Sequence, residues 1–276
     1  MSEDGLKKPA LMGILNVTPD SFSNEGEHFQ TDAAITHARL MVEQGADILD
    51  IGGESTRPGA DRVPASEQIN RVVPVIEALM PVIGDKVPIS IDTTSALVAK
   101  EALAAGASII NDVSAGREDE SMFAFTAQVE VPYIMMHMQG QPKNMQDAPC
   151  YENVLEEVLA FLMSQASAAE AAGVKSSNIL IDPGIGFGKS KQNNLDLVAN
   201  LHKFSETGYG VLLGASRKRF MGSICDIEKY SELVGATCAT TALAVMAGVD
   251  MIRVHDIREN RQALDVAYAL KQSIAK

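Results

Sequence analysis

The stretch NILIDPGIGFGK, residues 178–189, decides the fold. Ile179, Leu180 and Ile181 form a short apolar run, opened by a polar residue and stopped by Pro183 and Gly184. Such a run reads as a buried strand. Asp182 stands at its end, and Gly184, Gly186 and Gly188 behind it let backbone approach a ligand closely. An aspartate that merely caps an Asx turn would leave the same trace. The stretch alone leaves both readings open; its recurrence along the chain separates them.

Working outward, similar apolar runs occupy residues 11–17, 47–51, 87–91, 108–110 and 133–136 before it, and 210–213 and 251–254 after it. Between them lie helical patterns. One spans 32–44 and is closed by Gly45. A second starts at Ser66 and carries Ile69, Val72, Val73, Ile76 and Met80 on one face, with Pro74 expected to kink or break it. A third is capped by Ser95 and stopped by Gly106. Others span 121–129, 153–172, 194–204 and 231–247, and the last opens on a capping pair of Asp256 and Glu259.

That makes eight strand-then-helix units. From Asn16 to His255 the step is about 34 residues, close to one-eighth of a ~250-residue (β/α)8 barrel. Short apolar strands without alternation suit a parallel sheet covered on both faces. A doubly wound open sheet gives similar local patterns. Eight units, and no GxGxxG opening a helix after the first strand, favour an α/β TIM barrel. A single domain over residues 1–276 is expected, with a short N-terminal extension at 1–9.

Composition narrows the partners. A net charge of −13 argues against nucleic acid and against an anionic membrane surface. Cys150, Cys225 and Cys238 are odd in number and widely spaced, without a CxxC, so neither a disulfide framework nor a zinc site is suggested. The first ten residues carry no signal-peptide core, and no apolar run approaches the ~18 residues that span a bilayer. A cytoplasmic protein is expected.

In such a barrel the loops after the strands build the site. Nearly every strand delivers a polar group there: Asn16, Asp50, Asp92, Asn111, His137, Asp182, Ser216 with Lys218, and Arg253 with His255. Any one of these fits an ordinary loop residue; eight converging turns do not. Arg57, Arg217, Lys218, Arg253 and His255 put cationic groups at one mouth of an acidic protein, which points to an anionic ligand. Asp92, Asn111 and Asp182 suit a flat heterocycle bearing N–H donors. No Ser-His-Asp or Cys-His arrangement is present in the pattern, and His137 and the cysteines read as structural.

The same segments carry a family resemblance. LMGILNVTPDSFS (11–23), DIGGESTRPGA (50–60), SIDT (90–93), INDVSA (110–115), IDPGIGFGK (181–189), GASRKRF (214–220) and RVHD (253–256) resemble the dihydropteroate synthases, in order and over essentially the whole chain. The resemblance implies condensation of 6-hydroxymethyl-7,8-dihydropterin diphosphate with p-aminobenzoate, releasing diphosphate, in folate synthesis. It implies that Asp92, Asn111, Asp182 and Lys218 hold the pterin. Asn16, Arg57, Arg253 and His255 would bind the diphosphate, with Asn16 also reaching Mg2+. Thr56, Arg57, Pro58, Phe187 and Ser216 would shape the p-aminobenzoate pocket, where sulfonamides compete. Catalysis would fall to Arg253, His255, Lys218 and Asn16, and the assembly would be a homodimer. The family's first loop usually continues SFSDGG; here Asn24 and Glu25 follow Ser23, so a carboxylate role at position 24 does not carry over. Two other readings share the pterin barrel. A corrinoid-dependent methyltransferase would need a second protein and release no diphosphate. A non-catalytic pterin binder would have lost part of the cationic set.

Overall fold

The computed structural model describes residues 7–18, 27–55, 62–84, 87–140, 143 and 145–274. Eight parallel strands close into a barrel: β1 (Ala10–Asn16), β2 (Ile48–Gly52), β3 (Ile89–Asp92), β4 (Ile109–Asp112), β5 (Tyr133–Met136), β6 (Ile179–Asp182), β7 (Gly210–Leu213) and β8 (Met251–Val254). β1 pairs with both β2 and β8, which closes the ring. The helices are α1 (Glu27–Glu43), α2 (Ala65–Ile83), α3 (Ala96–Ala105), α4 (Met122–Val129), α5 (Val154–Ala171), α6 (Lys191–Ala199), α7 (Leu201–Ser205), α8 (Arg219–Cys225), α9 (Val234–Ala247) and α10 (Ile257–Ile274).

Strand alternation divides the core in two. Outward-facing Leu15, Leu49, Ile51, Ile91, Ile110, Tyr133, Met135, Ile181 and Leu213 pack against the helices. Inward-facing Met12, Ile48, Ile109, Ile134, Leu212 and Met251 form a separate apolar plug inside the barrel, with Ala10 and Leu180 against it. The plug makes the barrel a filled core rather than a pore. Every strand therefore buries both faces, so a polar residue in a strand, such as Ser90 or Asp92 of β3, is itself buried rather than solvent-facing. One pleat above the plug, the inward positions turn polar: Asp50 lies beside Ser90, and Asp92 beside Asn111.

Several local expectations are revised. α2 runs unbroken from Ala65 to Ile83 with Pro74 and Pro81 inside it; Pro74 removes one backbone donor without ending the helix. Ser95 flanks α3 but makes no side-chain cap; the carboxylate of Asp119 accepts the Ala96 N–H instead, at 2.8 Å. The helix expected from residue 194 begins earlier, at a capping box of Ser190 and Asn193. It breaks at Asn200, whose side-chain N–H turns back onto the Asp196 carbonyl. α8 is an additional short helix, and α1 starts five residues before Asp32. No helix among the described residues is long and apolar enough to cross a membrane.

Candidate active site

The C-terminal strand ends bring the expected polar groups into one mouth. Its centre is Arg253, on β8. The guanidinium Nε donates to Asp50 Oδ2 at 2.6 Å, and Nη2 donates to Asp92 Oδ2 at 2.7 Å. Asn111 Nδ2 donates to the same Asp50 oxygen at 3.1 Å. One cation thus ties β8 to β2 and β3, and β4 joins through Asp50. Asp50 Oδ1 is buried with no partner, so this carboxylate acts through Oδ2. Burial opposes the Arg253 charge, but Asp50 and Asp92 outweigh it and hold the guanidinium more firmly protonated than usual. Burial raises Asp92 above the ordinary carboxylate range; Arg253 counters this, and Asp50 adds to it.

Asn16 closes the β1 side of the mouth. Gly52, between it and Asp92, leaves room a side chain would take: a Cβ there would lie 3.4 Å from Asp92 Cβ and 3.6 Å from Asn16 Oδ1. On the opposite side, Asp182 Oδ1 accepts the Gly184 N–H at 2.7 Å, and Oδ2 lies 3.6 Å from where a Cβ on Gly214 would stand. Burial pushes the Asp182 carboxyl up to about 6, against the pull of the Gly184 N–H and of Lys218. Lys218 precedes α8 and sets its ammonium 4.1 Å from the centre of the Phe187 ring. Burial, helped by Arg253, lowers it to about 8, while Asp182 and Asp92 act in the other direction. Phe187 is packed with Val113, Met136, Met138 and Met145, an apolar wall beside the polar centre.

Ser216 and His255 meet at the β7–β8 side: the His255 backbone N–H donates to Ser216 Oγ at 3.2 Å, and His255 Nδ1 lies 3.0 Å from it. Arg217 is committed to an ion pair. Its guanidinium grips both oxygens of Asp256, so it locks the loop after β7 to the start of α10 and occupies the carboxylate expected to cap that helix. Thr56, Arg57 and Pro58, and Asn24, lie outside the described residues. The two ends of the 54–65 segment are anchored: Glu54 accepts from the Val63 N–H at 2.8 Å and pairs with Arg62, which also pairs with Glu118.

His137 is buried rather than poised in the mouth, and its imidazole is neutral at pH 7 because burial, with Lys189 and Arg117 nearby, depresses its proton affinity. Cys150 and Cys225 are exposed and Cys238 half-buried, all three unbonded. Residues that the sequence reading missed support the β6 loop. Asn194 Oδ1 accepts the Gly186 N–H at 2.7 Å, Gln146 Nε2 donates to Gly186 O at 2.6 Å, and Tyr151 OH donates to Gly188 O at 2.8 Å. They sit far from strand ends, so no spacing marks them. As for metal, Asn16 offers one amide oxygen at the mouth, and no cluster of three His, Cys, Asp or Glu side chains fit to hold an ion occurs among the described residues. An amide oxygen is one donor that a hard, hydrated cation such as Mg2+ accepts beside its waters and substrate phosphates.

A parallel barrel whose strand ends gather carboxylates, an amide and partly buried cations defines an enzyme-type site for a polar ring with an anionic tail. The chain belongs to the pterin-binding enzyme family, whose pattern matches residues 12–255. Within that family it is similar to the dihydropteroate synthase of Haemophilus influenzae, 43% identical over 95% of this chain and 94% of that one. It is also similar to solved structures of the Xanthomonas albilineans dihydropteroate synthase. The one with 4-aminobenzoic acid is 45% identical with a TM-score of 0.89, covering 96% of this chain and 93% of the other. The one in complex with 7,8-dihydropteroate is 42% identical with a TM-score of 0.86, covering 96% and 94%.

Proposed function

We infer that this chain is a transferase with dihydropteroate synthase activity. It joins 6-hydroxymethyl-7,8-dihydropterin diphosphate to p-aminobenzoate and yields 7,8-dihydropteroate and diphosphate, a step of folate synthesis. The observation that carries the reading is one barrel mouth in which Asp92, Asn111 and Asp182 oppose Lys218 and Arg253. Relatives that bind 4-aminobenzoic acid and 7,8-dihydropteroate support it.

The roles follow from the chemistry. Asp92, Asn111 and Asp182 hydrogen-bond the edge of the pterin ring, and Lys218 donates to its acceptor side. The bond from the exocyclic CH2 to the diphosphate oxygen breaks, and its electron pair leaves with the diphosphate. The electron-rich ring spreads the resulting positive charge. The arylamine nitrogen then bonds to that carbon and loses a proton. The demand on the protein is to stabilise the departing anion, and Arg253, His255, Arg57 and Asn16 supply donors and charge to it. Asn16 would also hold Mg2+, which when bound neutralises charge on the leaving group. Thr56, Arg57, Pro58, Phe187 and Ser216 orient p-aminobenzoate for attack, an entropic task.

Two features round out the proposal. The protein works in the cytoplasm, in keeping with three unbonded thiols. It assembles as a homodimer through the apolar residues left exposed on α9 and α10, among them Leu243, Val266 and Leu270. The catalytic reading is tested by mixing the purified protein with pterin diphosphate, p-aminobenzoate and Mg2+. Diphosphate release that requires both organic substrates is expected; no release, or methyl transfer from methyltetrahydrofolate, would overturn it.

A further inference from the structure

Lys189, the last residue of the opening stretch, is only 3% exposed, yet it is one of the few charged side chains in the interior. Its ammonium is enclosed by four acceptors: Gly184 O at 2.9 Å, Phe187 O at 3.0 Å, His137 Nδ1 at 2.9 Å and His137 O at 3.3 Å. An ammonium carries three protons, so it can satisfy the two loop carbonyls and one partner on the β5 side at once. A neutral imidazole protonated on Nε2 offers Nδ1 as the acceptor required here. The seven residues from Pro183 to Lys189 are therefore wrapped around an amine that the loop itself supplies, and the same amine fastens the loop to the end of β5.

The consequences run to both sides of the mouth. The peptide of Gly184 gives its carbonyl to Lys189 and its N–H to Asp182 Oδ1. The peptide of Phe187 gives its carbonyl to the same ammonium while its ring lies under Lys218. Gly184 and Gly188 rest on the His137 and Gln139 carbonyls, so the loop has no slack on that side. We propose that Lys189 is a positioning residue. It sets, through these two peptides, the Asp182 carboxylate that anchors the ring and the Phe187 wall that faces the second substrate.

This inference rests on the function proposed above, and wild-type diphosphate release tests that function separately. The experiment is Lys189→Met, which keeps the length and removes the ammonium, with KM and kcat measured for both substrates. Loss of positioning predicts KM values for pterin diphosphate and p-aminobenzoate raised together by roughly tenfold or more, with kcat changed by less than about threefold. Constants within about twofold of wild type, or a collapse of kcat with both KM values unchanged, would overturn it. Lys189→Ala provides the second arm, and carries the test alone if the Met variant does not fold. The truncation removes the equivalent of propylammonium, so added n-propylammonium should restore folding and substrate affinity in a saturable way, whereas sodium chloride of equal ionic strength should not. Failure of n-propylammonium to restore either, or equal restoration by salt, contradicts the cage.

Discussion

In the proposed binding mode Asp182 and Lys218 meet the ring in opposite charge states, and their environments limit when that holds. An ionised Asp182 accepts from ring N–H groups; a protonated Lys218 donates. Burial raises the first to about 6 and lowers the second to about 8. The productive pair therefore exists above the Asp182 value and below the Lys218 value. A plot of kcat/KM for pterin diphosphate against pH should rise through about pH 6 and fall through about pH 8, as a property of the coupled site. A profile flat across that range would remove Asp182 and Lys218 from ring binding. In the proposed reaction Arg253 carries a double burden, since it neutralises Asp50 and Asp92 and would also meet the leaving group. Arg253→Ala should lower turnover by about 100- to 1000-fold. It should also cost about 3 kcal/mol of stability, because two enclosed carboxylates lose their partner. Steady-state rates and denaturant unfolding on one preparation check both; near-normal turnover would count against the leaving-group role.

At the scale of elements, the loop after β6 is fixed by geometry that only glycine allows. Gly184 has φ +68° and Gly188 φ +61°, and a Cβ at either would overlap a carbonyl of the β5 loop. Gly184→Ala should therefore displace Asp182 and Phe187 together, abolishing pterin binding by calorimetry and lowering the unfolding midpoint. Gly235→Ala, at a position open to solvent, should do neither. Strands were the most legible elements, because each is an apolar run ending in a polar group; β5, β7 and β8 fall at their expected bounds. Helix ends were less so. The α3 cap comes from Asp119, twenty-three residues from its partner, and no local pattern reveals such a bond. Arg217 shows the same limit in the site: as a cation at a strand end it read as ligand-facing, but Asp256 on the next loop claims it. Lys189 carries no mark of its role in the sequence, since neither its burial nor its four acceptors follow from residue order.

Across the whole molecule, the plug of apolar side chains inside the barrel pushes all polar inward positions to one end, so a single mouth collects them. Part of the exposed apolar surface lies elsewhere. Val266, Leu270 and Ile274 recur at four-residue steps along α10, and Leu243 and Met246 are exposed on α9, the helix that packs against it. If the proposed homodimer forms through this face, Leu270→Glu should lower the mass seen by light scattering from dimer to monomer and leave the fold intact; an unchanged mass would contradict that interface. In the proposed reaction the end of β6 anchors substrate, with the chemistry across the mouth at Arg253, His255 and Asn16. Isothermal titration of pterin diphosphate into wild type and into Asp182→Ala tests it most directly. A loss of about 2–4 kcal/mol in binding free energy is expected for a buried carboxylate removed from a charged hydrogen bond. An unchanged Kd in a folded Asp182→Ala protein would contradict the account.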